Sequence, residues 1–287
     1  MRGTWLVVGA VAVLATGCGD GSSSPRTEET PAIPVSSPTA VPPASGTVTT
    51  TFSLLVTDDG SGPHACQNGN WQDVSPPTCS AIAITGWEWD PTWDVEEQDG
   101  VRWGNFQLVG TFDGHTFAVD AASQPEPAPY EWDFEIPCPT PDGGWQVVAP
   151  SRSGADDLGA ATAAAQDLDG YALAVVSTPD GRPGPRDPGS TVLTVLVAGD
   201  VSASEAALRE VWGGMLCVSR VHHSYRELRR VQHALLDVPG MNEVGSGNTD
   251  NQVDLVVLND DGSIQRWVDQ AFGEGVVVVD SNLQPVG

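Results

Sequence analysis

A chain of 287 residues with 38 acidic side chains against 12 basic ones carries a formal net charge of −26. Such a charge disfavours nucleic acid and anionic lipid as partners and favours solubility. All twelve cations are arginine, which excludes Schiff-base chemistry, a phosphate-loop lysine and Ser-Lys hydrolysis.

The first eighteen residues, MRGTWLVVGAVAVLATGC, combine Arg2, an apolar run from Trp5 to Ala15 and small residues leading to Cys18. The run is shorter than the roughly 20 residues that span a bilayer as a helix. Ala15, Thr16, Gly17 and Cys18 resemble the lipobox of bacterial lipoproteins, with Ala15 where that family more often has leucine. The resemblance implies a signal peptide over 1–17, with cleavage before Cys18. It further implies diacylglycerol on the Cys18 sulfur and an acylated amino terminus. Two or three acyl chains hold stably where one does not, so the expected location is the outer face of the cytoplasmic membrane. Residues 18–46 form a Ser/Thr/Pro-rich tether without aromatic residues or apolar period. Such a segment buries too little surface to fold and, extended, reaches roughly 80 Å.

A β domain is expected over 47–121. Val48, Thr50, Phe52, Leu54 and Val56 alternate as one strand face, and Ile82 and Ile84 do the same. Trp87 and Trp89 resume the alternation one residue out of step, with Gly86 at a position suited to a bulge. Phe106 to Phe112 and Phe117 to Val119 form strands around the hairpin signal Asp113-Gly114. These strands predict a small antiparallel barrel or curled sheet, resembling an oligonucleotide/oligosaccharide-binding barrel. A Pro-rich connection spans 122–150, and an α+β domain is expected over 151–287. Its elements are a helix through Leu158, Ala161, Ala165 and Leu168, strands at 171–177 and 191–198, and a helix opened by a Ser202/Glu205 capping box. A strand at 216–219 follows, then a helix opened by Ser224/Glu227, a strand at 253–258, a helix carrying Ile264, Trp267 and Val268, and a strand at 275–280. The expected fold class is therefore α+β, the second domain being of α/β type with a mixed sheet of about five strands.

Setting Cys18 aside for lipid leaves Cys66, Cys79, Cys138 and Cys217. An exported chain meets an oxidising compartment, and the favoured pairs are Cys66–Cys79 and Cys138–Cys217. A zinc site using His64 matches no ligand spacing.

Two constellations stand out. GWEWDPTWDVEEQDGVRWG (86–104) sets four tryptophans among six carboxylates. Its alternatives are a packed pair of bulged strands with an acidic loop, a ligand surface or a calcium loop, although Asp-x-Asp-x-Asp-Gly spacing is lacking. Trp93, Asp94, Glu96 and Glu97 are its candidate contacts, with Trp93 expected to be exposed. The second is a basic helix with Arg226, Arg229 and Arg230, near Arg220, His222, His223 and His233. It is read either as internally paired, Glu227 included, or as a docking face for an acidic protein or a cell-wall polymer.

No nucleophile elbow, zincin motif, phosphate loop or dinucleotide fingerprint occurs, so no catalytic, metal or cofactor residue is assigned. The order of elements in STVLTVLVAGDVSASEAALREVWGGMLCVSRVHHSYRELRRVQHAL and VDLVVLNDDGSIQRWVDQAFGEGVVVVD resembles pro-regions of secreted actinobacterial serine proteases, over roughly residues 155–283. The mature chain as a whole resembles secreted actinobacterial proteins. The expected function is a non-enzymatic cell-surface lipoprotein with a binding or envelope-associated role. The pro-region resemblance implies instead an inhibitor or folding assistant that inserts the tail SNLQPVG into a protease cleft. The tryptophans imply a carbohydrate binder.

Overall fold

The computed structural model describes residues 36–69, 75–126, 134–182 and 187–286; the lipobox and most of the tether lie outside the described residues. The first strands are β1 (Val48–Thr50), β2 (Leu54–Asp58), β3 (His64–Gly69), β4 (Cys79–Thr85), β5 (Glu96–Gln98), β6 (Val101–Phe112) and β7 (Thr116–Ser123). Neighbouring strands pair in the order β2, β3, β4, β7, β6, and β6 returns to β2 to close a five-stranded barrel. The β4–β7 seam is parallel and the others antiparallel. Closure works because β6 has twelve residues: Arg102–Phe106 pair with β2, and Gln107–Phe112 pair with β7. A bulge between Val109 and Gly110 turns the strand from one partner to the other. Val56, Ala65, Ile82, Ile84, Phe106, Leu108 and Phe117 belong to the buried core. Each large side chain fully buried contributes about 1.5–3 kcal/mol.

Three features of this half differ from expectation. The alternating run 48–56 is two strands, and Phe52 between them is 59% exposed. The break arises because Thr51 N donates to Asn282 O (2.8 Å) and Phe52 N to Asn282 Oδ1 (2.7 Å), taking both groups out of a ladder. Secondly, β4 ends at Thr85 and Trp87 and Trp89 are not in a strand. Gly86 takes φ +74°, where a Cβ would meet Val119 O at 2.6 Å, and the chain turns there. Thirdly, the end of the expected tether is docked. Val41 and Ala44 pack on the barrel core, and Ala44 N donates to Phe112 O.

The remaining elements are α1 (Ala155–Gln166), β8 (Tyr171–Ser177), β9 (Val192–Val197), α2 (Val201–Val211), β10 (Met215–Arg220), α3 (Tyr225–Ala234), β11 (Met241–Ser246), β12 (Val253–Val257), α4 (Ser263–Phe272), β13 (Val277–Ser281) and β14 (Leu283–Pro285). In place of one five-stranded sheet there are two three-stranded sheets, β10-β9-β8 and β11-β12-β13. The strand β11 and the terminal β14 were not anticipated. The helix α2 is capped by Asp200, whose Oδ1 accepts from Ala203 N, and not by Ser202. The Ser224/Glu227 box on α3 is present.

The two sheets are repeats of one unit. α1-β8-β9-α2-β10 and α3-β11-β12-α4-β13 share order, an antiparallel first pair and a parallel crossover pair. Each first strand follows a left-handed glycine, Gly170 (φ 72°) and Gly240 (φ 76°). Gly170 O accepts from Ala198 N and Gly240 O from Leu258 N, both at 2.7 Å. Each first strand then bulges at its second residue, between Tyr171 and Leu173 and between Met241 and Glu243. The segment carrying Ile136, Cys138 and Trp145 covers the outer face of the first sheet against Val192, Met215 and Cys217.

Both favoured disulfides form, Cys66–Cys79 and Cys138–Cys217, closing 13 and 79 residues. On loop-closure entropy they stabilise by roughly 3 and 4–5 kcal/mol. They fit an oxidising, extracytoplasmic compartment, and no helix among the described residues is long and apolar enough to cross a membrane. Finally β14 returns to pair with β1, Val48 opposite Pro285 and Thr50 opposite Leu283. Leu283 is buried, and Leu283–Pro285 of the SNLQPVG segment form a strand of the barrel sheet.

Two glycines test this packing with opposite signs. A Cβ on Gly110 would lie well inside contact distance of Ala118 O across the β6–β7 seam, whereas one on Gly159 in α1 meets nothing within 4 Å. Urea unfolding is expected to show Gly110→Ala destabilised by at least about 1–3 kcal/mol. Gly159→Ala is expected to be stabilised by about 0.5–1 kcal/mol.

Candidate functional site

The tryptophan stretch runs back beneath the barrel instead of continuing its wall. Trp87, Trp89 and Trp93 gather around Phe106 at centroid distances of 4.9, 5.8 and 4.7 Å. Trp87 meets Trp89 edge-on at 5.2 Å and lies 5.3 Å from Trp93. Such arrangements satisfy the ring quadrupoles and add roughly 0.5–1.5 kcal/mol per pair to burial. Trp93 is half-buried, which corrects its expected exposure, and Trp103 is 7% exposed on the barrel's outer side. The faces that sugar stacking would need are largely taken by other rings.

The acids of this stretch have separate surroundings. Asp94 N donates to Gln124 Oε1 (2.8 Å) while Gln124 Nε2 donates to Asp94 O (2.6 Å), a two-way bridge that holds the loop to the end of β7. The Asp94 carboxylate is left exposed and, with Glu96, Trp103 and Asn105, borders a cavity of about 550 Å³. Glu97 pairs with Arg102 at 3.1 Å, both largely exposed; such a pair contributes at most about 1 kcal/mol. Arg102 also lies over Trp89, 5.6 Å from its centroid. Asp90 closes a turn by accepting from Thr92 N and Oγ1, bonds that lower its pKa. Among the described residues no group of three or more His, Cys, Asp or Glu is placed to hold a metal ion.

The arginines lie elsewhere, on α3. Leu228 is the helix's buried anchor, and Gln232 pins it to β11 by donating to Val244 O (2.9 Å). The Ser224 box sets its start: Glu227 Oε2 accepts from Ser224 N (2.8 Å) and Ser224 Oγ (2.7 Å). These bonds, with smaller help from His223 and Arg230, lower the Glu227 pKa. The folded value lies below the unfolded one, so the stabilisation is present at neutral pH and is lost as pH falls through the lowered pKa. His222 and His223 precede the helix in a turn, where both backbone N–H groups donate to Asn251 Oδ1 (3.0 and 2.7 Å).

Internal pairing takes up the cations only in part: Arg230 acts on Glu227 through space, without an ion-pair contact. The salt bridges among the described residues involve Arg102, Arg182 and Arg209, and none involves Arg220, Arg226, Arg229 or Arg230. Arg229 Nη1 donates to Gln232 Oε1 (3.0 Å), its Nη2 lies 3.3 Å from His233 Nε2, and its guanidinium sits 5.9 Å from the Tyr225 ring. Arg226 and Arg230 are exposed. Arg226 occupies the first turn, where the helix dipole disfavours a cation, and it faces like charges at three and four residues' spacing. Each such effect costs a few tenths of a kcal/mol. Beside the start of α3, the Gly170 turn and Gly199 leave a second cavity of about 630 Å³, bordered by Asp167, Asp169, Tyr171, Tyr225 and Arg226. Sequence reasoning missed this cavity, because it joins a turn and a helix start more than fifty residues apart. It also passed over Tyr225, although a tyrosine four residues before Arg229 is a readable helical pair.

Substitution separates packing from surface in the tryptophan stretch. Trp93→Ala is expected to lower stability by about 2–4 kcal/mol in chemical denaturation, toward the range of buried aromatic truncations. Asp94→Asn on its exposed rim is expected to stay within about 0.5 kcal/mol. The chain matches no protein-family model and no curated protein sequence.

Proposed function

We propose that this is a lipid-anchored extracytoplasmic binding protein whose folded head is held off the outer face of the cytoplasmic membrane. The head acts without catalysis, and the cations of α3 engage an anionic partner. One observation carries the reading: in a chain of net charge −26, the arginines of α3 have no carboxylate within ion-pair distance among the described residues. Cations held on the helix at a cost to it, with no carboxylate in ion-pair reach among the described residues, support a contact outside the chain. Supporting the anchor, the four downstream cysteines are consumed in two disulfides, which leaves Cys18 behind its apolar run for the lipid. Cell fractionation checks the anchor: Cys18→Ala is expected to move the protein from membranes into the medium, and continued membrane retention would count against it.

A second reading is favoured by the repeated helix–strand–strand–helix–strand order, which supports the likeness to protease pro-regions. In that reading the domain inhibits or assists an extracellular protease. Tail insertion would require β14 to leave β1, so inhibition is expected to be unaltered when residues 286–287 are removed. Absence of both inhibition and assisted refolding of any secreted protease by the intact chain would remove this reading.

A further inference from the structure

We infer that α3 is a docking helix for an acidic protein segment that carries apolar residues at both ends of its acidic stretch. This rests on the binding reading above and names the partner's chemistry.

The internal repeat supplies a control for what the fold itself needs. α1 holds the same place in the first unit as α3 in the second, and its sequence, ADDLGAATAAAQ, has two aspartates and no cation. α3, YRELRRVQHA, has three arginines and a histidine at the same structural position. Both helices bury one side on their own sheet, through Ala161 and Ala165 in α1 and Leu228 in α3, and α3 also meets β8 of the first sheet, where Tyr225 lies 6.3 Å from Tyr171. Cations on the outer side are therefore no requirement of the unit.

The exposed side of α3 is more than charge. Tyr225, 42% exposed, begins it, and Leu236, 45% exposed, lies just past its end; these are two of the five large hydrophobic side chains exposed among the described residues. Between them stand Arg226, Arg229, Arg230 and His233. Aromatic and arginine side chains bracketed in this way are the residue types that dominate protein interfaces. At 1.5 Å per residue the strip is about 15 Å long. A long polyanion would run off it onto a surface that is otherwise strongly acidic, and would leave Tyr225 and Leu236 unused. A short acidic protein segment ending in apolar side chains fills both the charge and the ends. At physiological salt the screening length is about 8 Å, so the strip is read locally despite the net charge.

The test is selection of a random 12-residue peptide library on the intact chain purified in detergent, at 150 mM salt. Enriched peptides are expected to carry three or more acids between large apolar residues. The double variant Arg226→Glu/Arg230→Glu should weaken their binding at least tenfold, and Tyr225→Ala or Leu236→Ala about fivefold. The α1 substitution Asp156→Arg should leave it unchanged, with circular dichroism showing each variant folded. Inorganic polyphosphate at equal charge should compete poorly; competition equal to the peptide's would assign the strip to a polymer and overturn the proposal. Peptides whose binding ignores the α3 substitutions would overturn this inference and leave the binding reading standing. Failure to enrich any peptide would overturn this inference, and the binding reading would fall with it only if the intact chain also fails to bind inorganic polyphosphate through Arg226 and Arg230.

Discussion

The fold hangs on a single buried asparagine. Asn282, fully buried, sits between β13 and β14, where the second repeat ends and the barrel sheet is rejoined. Its backbone N donates to Val257 O in β12, and its backbone O accepts from Thr51 N. Its side-chain Oδ1 accepts from Phe52 N and Thr51 Oγ1. One residue thus satisfies the broken corner between β1 and β2 and fastens it to the central strand of the second sheet. Around it, β14 lies along β1, Leu283 N donates to Leu258 O, and Asn259 Nδ2 donates to Pro42 O. Without this clasp, the buried Asn282 carbonyl and Oδ1 would lose their partners, at about 1–3 kcal/mol for each one left unsatisfied. The barrel and the repeats are held by the same few bonds.

A barrel closed by five short strands has an open end that must be filled. Here three tryptophans fill it around Phe106, and the acids between them project outward because a solvated carboxylate has no place among the rings. Alternation of Trp and Asp/Glu in 86–104 is the trace of that division. It has the period of a strand, yet Gly86 turns the chain before a strand can continue. The candidate contacts are accordingly split. Trp93 packs half-buried against the core, Glu97 lies in an exposed pair with Arg102, and Asp94 and Glu96 lie at the rim of a cavity.

Much of the local structure was legible because it rests on local chemistry. The Ser224/Glu227 box, the Asp113-Gly114 hairpin and both favoured disulfide pairs follow from residues close in sequence or from the small number of cysteines. What was illegible depends on distant partners. The break at Phe52 is made by Asn282, some 230 residues away. The strand β11, MNEVGS, has little apolar alternation and exists because β12 offers it a ladder. The terminal strand β14 contains Pro285, which a strand tolerates at an edge. Nor did the repeat show in the side chains: its signature is backbone, a left-handed glycine whose carbonyl accepts from the end of the next strand, followed by a bulge.

That backbone signature also separates what the two units share from what they do not. Gly170 and Gly240, the matching 2.7 Å bonds and the matching bulges are what each unit requires to turn from helix into sheet. The outward surfaces are free of that requirement, and there the units diverge. The first unit has its outer sheet face covered by the segment clamped through Cys138–Cys217 and an outer helix of alanine and aspartate. The second has arginine and tyrosine on the corresponding helix, in a chain with no other comparable concentration of positive charge. A helix whose first turn holds Arg226 against the dipole, and whose arginines make no ion-pair contact among the described residues, gains little from its charges as an isolated helix. The stability it forgoes, a few tenths of a kcal/mol for each unfavourable charge, is small beside the burial of Leu228, Leu235 and Val238 that fixes it in place. Packing on one side therefore leaves the chemistry of the other side free to serve a contact outside the chain.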